Sequence, residues 1–162
     1  MALQTISIPF EVYADPSELS ETDRRLLEQA TAQLAHAYAP YSRFKVGAAL
    51  LLGNGELITG NNVENAAYPM CLCAEQTAIG AAASRYPDVP ILALAVTVEA
   101  AGLVISEPAG PCGACRQIIS EAEDRHGQAI SIIMRGSTGP VFKMRSAKDL
   151  LPVSFSGVFL PH

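Results

Sequence analysis

The chain has 162 residues, 49% of them hydrophobic, which is enough for one compact domain with a real core and too few for two. Eleven basic against sixteen acidic side chains leave a net charge of -5, the wrong sign for gripping a phosphate backbone, so no nucleic-acid partner is expected. Residues 1–13 have no basic start and no unbroken apolar run, and no later stretch approaches the roughly 20 apolar residues of a spanning helix; the expectation is a cytoplasmic protein with no membrane partner.

In residues 5–12, Ile6, Ile8, Phe10 and Val12 recur at every second position as in a strand, but Pro9 interrupts the run. Residues 1–17 of the single 1–162 domain are therefore expected to form an arm or an edge strand. Ser20, with Asp23 three residues on, reads as the cap of a first helix that carries Leu26, Leu27, Ala30 and Leu34 at helical spacing and stops by Pro40. Apolar runs at 46–52 and 57–59 flank Gly53-Asn54-Gly55, a strong hairpin signal, so the first two main strands are expected to be antiparallel.

The pattern then alternates: an Ala-rich helix at about 73–84, a strand at 91–98, a helix at about 112–125 ending before Gly127, and a strand at 130–134. Such alternation predicts parallel neighbours joined by crossovers. Residues 141–144 could add an edge strand, and Ser146 looks like the cap of a short helix that ends before Pro152. The run 78–83 reads as a tightly packed helix whose small residues would also let helices of different subunits approach. A mean hydropathy of +0.23 without any Trp further points to apolar surface covered by subunit contacts.

Cys112 and Cys115 lie in Pro111-Cys112-Gly113-Ala114-Cys115, where a loop enters a helix, so both sulfurs share one face of the first turn. The exposed N–H groups and helix dipole there favour thiolate, the form that binds zinc, so this pair is expected to be charged before a metal arrives. Cys73 begins the other core helix, and helices that follow parallel strands open at the same end of the sheet. Three ligands leave the fourth position of a tetrahedral zinc for water, as in a catalytic site. Glu75, two residues after a ligand, does not share its helical face and suits a general acid and base.

An x-Glu element followed by P-C-x-x-C is a signature of zinc nucleobase deaminases. The chain resembles the small homotetrameric cytidine deaminases through Pro40-Tyr41-Ser42-Arg43-Phe44, Val46-Gly47-Ala48-Ala49-Leu50, Asn62-Val63-Glu64-Asn65, Cys73-Ala74-Glu75 and Pro111-Cys112-Gly113-Ala114-Cys115-Arg116-Gln117, over roughly residues 26–155. The resemblance implies an α/β fold, a three-layer α-β-α domain with a central mixed five-stranded sheet flanked by helices. It implies one Zn²⁺ per subunit on Cys73, Cys112 and Cys115, and a pyrimidine nucleoside as partner. Cytidine and deoxycytidine would become uridine and deoxyuridine, in pyrimidine salvage: Glu75 takes a proton from a metal-activated water, the hydroxide attacks C4, and Glu75 delivers protons to N3 and the leaving amine.

By the same resemblance Phe44 lies against the pyrimidine, Asn62 and Glu64 bind the ribose hydroxyls, and Ala74 contacts the substrate. Tyr68 and Phe155 complete a neighbouring subunit's pocket, so the sites are shared in a homotetramer. Read without it, Phe44, Tyr68 and Phe155 are packing residues and Glu64 a loop carboxylate. One departure concerns Gln76, which stands where the family usually has an Arg that offsets the thiolates; Gln76 and Arg116 are expected to tune the metal site. Gly110 is another, at a position where Ser is common.

Alternative readings are a closed four-cysteine zinc site that recruits Cys71, a redox C-x-x-C, a deaminase of a modified aminonucleoside, and a zinc scaffold without turnover. Cys71 by itself reads as a small buried hydrophobe. His36, His126 and His162 belong to no motif and receive no role.

Overall fold

A computed structural model describes residues 1–160; His162 lies outside the described residues. The strands are β1 (Glu11–Tyr13), β2 (Phe44–Leu52), β3 (Leu57–Asn61), β4 (Ile91–Ala100), β5 (Ser131–Arg135) and β6 (Val141–Met144). The helices are α1 (Glu21–Gln33), α2 (Ala74–Arg85), α3 (Gly113–His126) and the single turn α4 (Ala147–Leu150). They form one mixed sheet in the order β1-β6-β5-β4-β2-β3.

The sheet has six strands rather than the expected five, because Glu11, Val12 and Tyr13 pair antiparallel with Lys143, Phe142 and Val141 at the edge. Pro9 precedes this ladder, so its missing N–H removes no strand hydrogen bond. The expected parallel neighbours hold for β4 and β5 and need correction for β3 and β4. Among the described strands only β4 and β5 are hydrogen-bonded in parallel; β3 and β4 run the same way but are separated by β2, which is antiparallel to both. The hairpin partner of β3 has taken the place beside β4.

Period-two alternation explains the three layers. Ala49, Ala93, Ala95, Ile133 and Val141 face α1, where Leu26, Leu27 and Ala30 meet them. Ala48, Leu50, Leu94, Val96, Ile132 and Met134 point the opposite way, against Ala74, Ala78 and Ile79 of α2 and Ile119 of α3. With both faces buried, β2 and β4 read as continuous apolar runs.

The caps behave as their residues suggest. Ser20 Oγ accepts the Asp23 N–H at 3.1 Å and starts α1. Gly127 ends α3 in the left-handed conformation, φ 61°. Helix α2 rests unusually close to β3: a Cβ on Gly60 would sit 2.6 Å from both Ala74 O and Ala78 N. This contact fixes the height of α2, and hence of Cys73, above the sheet. Among the described residues no helix is long and apolar enough to cross a membrane.

Candidate active site

Helices α2 and α3 follow β3 and β4, which run the same way, so their N-termini converge at one end of the sheet. Cys73 is the N-cap of α2, Cys112 is the N-cap of α3, and Cys115 lies one turn further in. Cys73 and Cys112 Sγ are 3.9 Å apart, Cys112 and Cys115 Sγ 3.5 Å, and all three sulfurs lie within 4.8 Å of one another. Zn–S bonds of 2.3 Å in tetrahedral geometry place sulfurs about 3.8 Å apart, so the donor set fits zinc in both chemistry and spacing.

The three thiols are not equivalent. Hydrogen bonding from Cys115 brings the Cys73 pKa down to about 7. The neighbouring Cys73 sulfur, and then burial, push the Cys115 thiol well above its ordinary value. Within the cluster the Cys73 thiol is thus held below, and the Cys115 thiol above, the ordinary thiol value.

Cys71 does not join the cluster. Its sulfur accepts the Asn65 N–H at 3.2 Å and faces Asn65 O at 3.7 Å, and the side chain is half-exposed rather than buried. The four-cysteine reading loses its fourth ligand, and Cys71 is not the buried hydrophobe expected. The thiol lines a cleft of about 440 Å³ together with Ser42, Phe44, Asn62, Glu64, Cys73, Glu75 and Cys112.

Glu75 is 4% exposed at the inner end of this cleft, and burial raises its pKa above the ordinary carboxylate value. A carboxyl so shifted takes up a proton more readily than an exposed one, as a group that must act as both base and acid requires. Phe44 opens β2 directly after Arg43, whose left-handed backbone (φ 56°) turns the chain into the strand. Asn62 lines the cleft, but its Oδ1 accepts the Val46 N–H at 2.8 Å and its Nδ2 donates to Phe44 O at 2.9 Å. The Asn62 amide thus clamps the backbone around Phe44.

Glu64 Oε2 accepts the Tyr41 N–H at 2.8 Å and the Ser42 N–H at 3.3 Å, and its Oε1 accepts from the Ser42 hydroxyl. The Ser42 hydrogen bond holds the Glu64 carboxyl below its usual range. Ser42, Val96, Val98, Ala109 and Gly110 are cleft residues that the motifs did not single out, although Ser42 and Gly110 sit inside or beside them.

Three of the expected substrate contacts are not walls of this chain's own cleft, two of them, Tyr68 and Phe155, having been expected to serve a neighbouring subunit's pocket. Ala74 is fully buried in the core and is not a cleft wall. Tyr68 is exposed and stands edge-on to Tyr41, ring centres 6.0 Å apart, in an outer hollow it shares with Ser42, Glu64 and Cys71. Phe155 is exposed, stacked at a tilt on Phe159, and its carbonyl accepts from Gln117 at 3.0 Å. Gln76 Oε1 accepts the Cys73 N–H at 2.9 Å. Arg116 donates to Pro111 O at 2.7 Å and to Leu150 O at 2.9 Å.

Residues 20–129 match the model of the cytidine and deoxycytidylate deaminase zinc-binding region. The chain belongs to this family. A cytidine deaminase from Mycobacterium tuberculosis is 42% identical over 82% of this chain and 88% of its own length. One from Sporosarcina psychrophila is 40% identical over 82% of this chain and 90% of its own. The crystal structure of cytidine deaminase from Burkholderia pseudomallei superposes with a TM-score of 0.71 and 40% identity, covering 85% of this chain and all of that one. The matched region contains Phe44, Asn62, Glu64, all three clustered cysteines and Glu75; Phe155 and β1 lie beyond it.

Proposed function

We propose that the chain hydrolyses the exocyclic amine of cytidine and deoxycytidine, releasing ammonia and leaving uridine and deoxyuridine. The observation that carries this reading is the buried Glu75 carboxyl in the same cleft as a three-sulfur zinc cluster. Cys73, Cys112 and Cys115 would hold zinc, whose Lewis acidity would make a water nucleophilic near neutral pH. Glu75 would take the first proton of that water as its oxygen adds to C4 and pass it to N3, then take the second from the resulting C4 hydroxyl and pass it to the departing amine. The ring gains an oxygen and loses ammonia, with no redox change. Phe44 offers the pyrimidine a flat apolar wall, and the Glu64 carboxylate, kept charged by Ser42, accepts from ribose hydroxyls.

The family includes deaminases of nucleosides and of nucleotides, and the cleft favours the former. Among the described residues, Glu64 and Glu75 are its only charged wall residues, and neither Lys nor Arg lines it to receive a phosphate. The test compares ammonia release from cytidine and deoxycytidine with that from their 5′-monophosphates. The expected result is a kcat/KM at least about 100-fold higher for the nucleosides, the order lost when a buried charge goes unpaired; equal or faster turnover of the monophosphates would contradict the reading.

A homotetramer with shared sites is part of the same proposal. It is supported by the exposed Tyr68 and Phe155 rings, which a second copy would cover.

A further inference from the structure

Residues 101–112, between β4 and α3, carry the Ala109–Gly110 wall of the cleft and end on Cys112. A connection of this length without secondary structure needs an external hold to keep a cleft wall in place. The hold comes from the turn between β5 and β6. Ser137 Oγ accepts the Ile105 N–H at 2.9 Å and donates to Ile105 O at 3.2 Å, and the Thr138 N–H donates to the same carbonyl at 3.2 Å. Among the described residues, the hydrogen bonds of residues 104–110 all involve Ile105 and run to this turn.

Two glycines let the turn press against the loop. A Cβ on Gly136 would lie 2.2 Å from Ile105 O and 2.7 Å from Glu107 O, and one on Gly139 would lie 2.1 Å from Ser106 O. Gly139 also has φ 81°, a conformation glycine adopts without strain. The turn is in turn anchored to the sheet, because the buried Thr97 hydroxyl donates to Gly136 O at 3.2 Å. Contacts therefore run from β4 through Gly136 and Ser137 to residues 105–107, and the backbone continues from there to Ala109 and Gly110.

We propose that Ser137 is a positioning residue for the deamination reaction: its hydroxyl clamps the 104–110 loop and so sets the wall against which the nucleoside binds. The inference rests on the deaminase reading, but its first readout does not. Ser137 touches neither the sulfur cluster nor Glu75, so substrate binding should weaken with zinc retained.

The experiment measures amide hydrogen exchange across 104–110, zinc content, and KM and kcat for cytidine, in the intact protein, Ser137→Ala, Ser137→Thr and Thr97→Val. In Ser137→Ala, exchange at 104–110 and KM are both expected to rise on the order of tenfold, the effect of losing one to two hydrogen bonds. Zinc content and kcat should stay within about twofold, a split that a merely structural lesion would not give. Ser137→Thr keeps the hydroxyl and should restore KM, and Thr97→Val should reproduce the loosening if Ser137→Ala fails to fold. Unchanged exchange, or faster exchange with unchanged KM, would overturn the proposal, as would zinc loss with unchanged KM. If the intact protein does not turn over cytidine, the deaminase reading fails, and exchange at 104–110 alone decides whether the clamp exists.

Discussion

Gln76 occupies the position where the resemblance leads one to expect a cation, and it does a different task. Its amide oxygen takes the N–H of a metal-ligating residue, and its own backbone N–H faces the Cys73 side chain in the other half of a capping box. The guanidinium of Arg116 is likewise engaged with backbone carbonyls on the metal loop and on α4. We propose that both residues act on the zinc site by bracing its ligands. Removing such a cap costs about 1 kcal/mol, so Gln76→Ala should release zinc to a chelator on the order of fivefold faster; release at the rate of the intact protein would show that the brace is idle. Spacing in the sequence was enough to pick out Cys73, Cys112, Cys115 and Glu75. The partners of Asn62 and Glu64 were not legible, because those hydrogen bonds join positions 16 to 23 residues apart.

At the scale of elements, the caps, the hairpin and the helix ends were readable because they depend on local chemistry, as with Ser20 and Gly127. Strand order was not. Nothing local says that β2 slips between β3 and β4, or that Glu11–Tyr13 finds an edge partner 130 residues away. The close approach of α2 to β3 makes a sharp test of the layering. Gly60→Ala places a methyl against the backbone of the helix that bears Cys73, and overpacking of this kind costs about 1–3 kcal/mol. Thermal unfolding should shift down by roughly 2–4 °C per kcal/mol; an unchanged melting temperature would mean that α2 and β3 are not so tightly apposed.

The whole molecule leaves Tyr68, Phe155 and Phe159 exposed around the site end, while the cleft keeps its own walls of Phe44, Glu64 and Glu75. A chain with this much apolar surface and a mean hydropathy of +0.23 should assemble, with a native mass close to four times the 17.1 kDa of one chain. Sedimentation or light scattering reads this directly, and a monomer would contradict the shared-site proposal while leaving the zinc chemistry standing. That chemistry is tested most directly by measuring zinc content and the absorbance change on cytidine in the intact protein and in Glu75→Ala. The account predicts about one zinc per chain in both, with kcat about 100- to 10,000-fold lower in the variant, the range that general acid–base catalysis supplies. Comparable turnover by the two proteins, or no zinc in either, would contradict it.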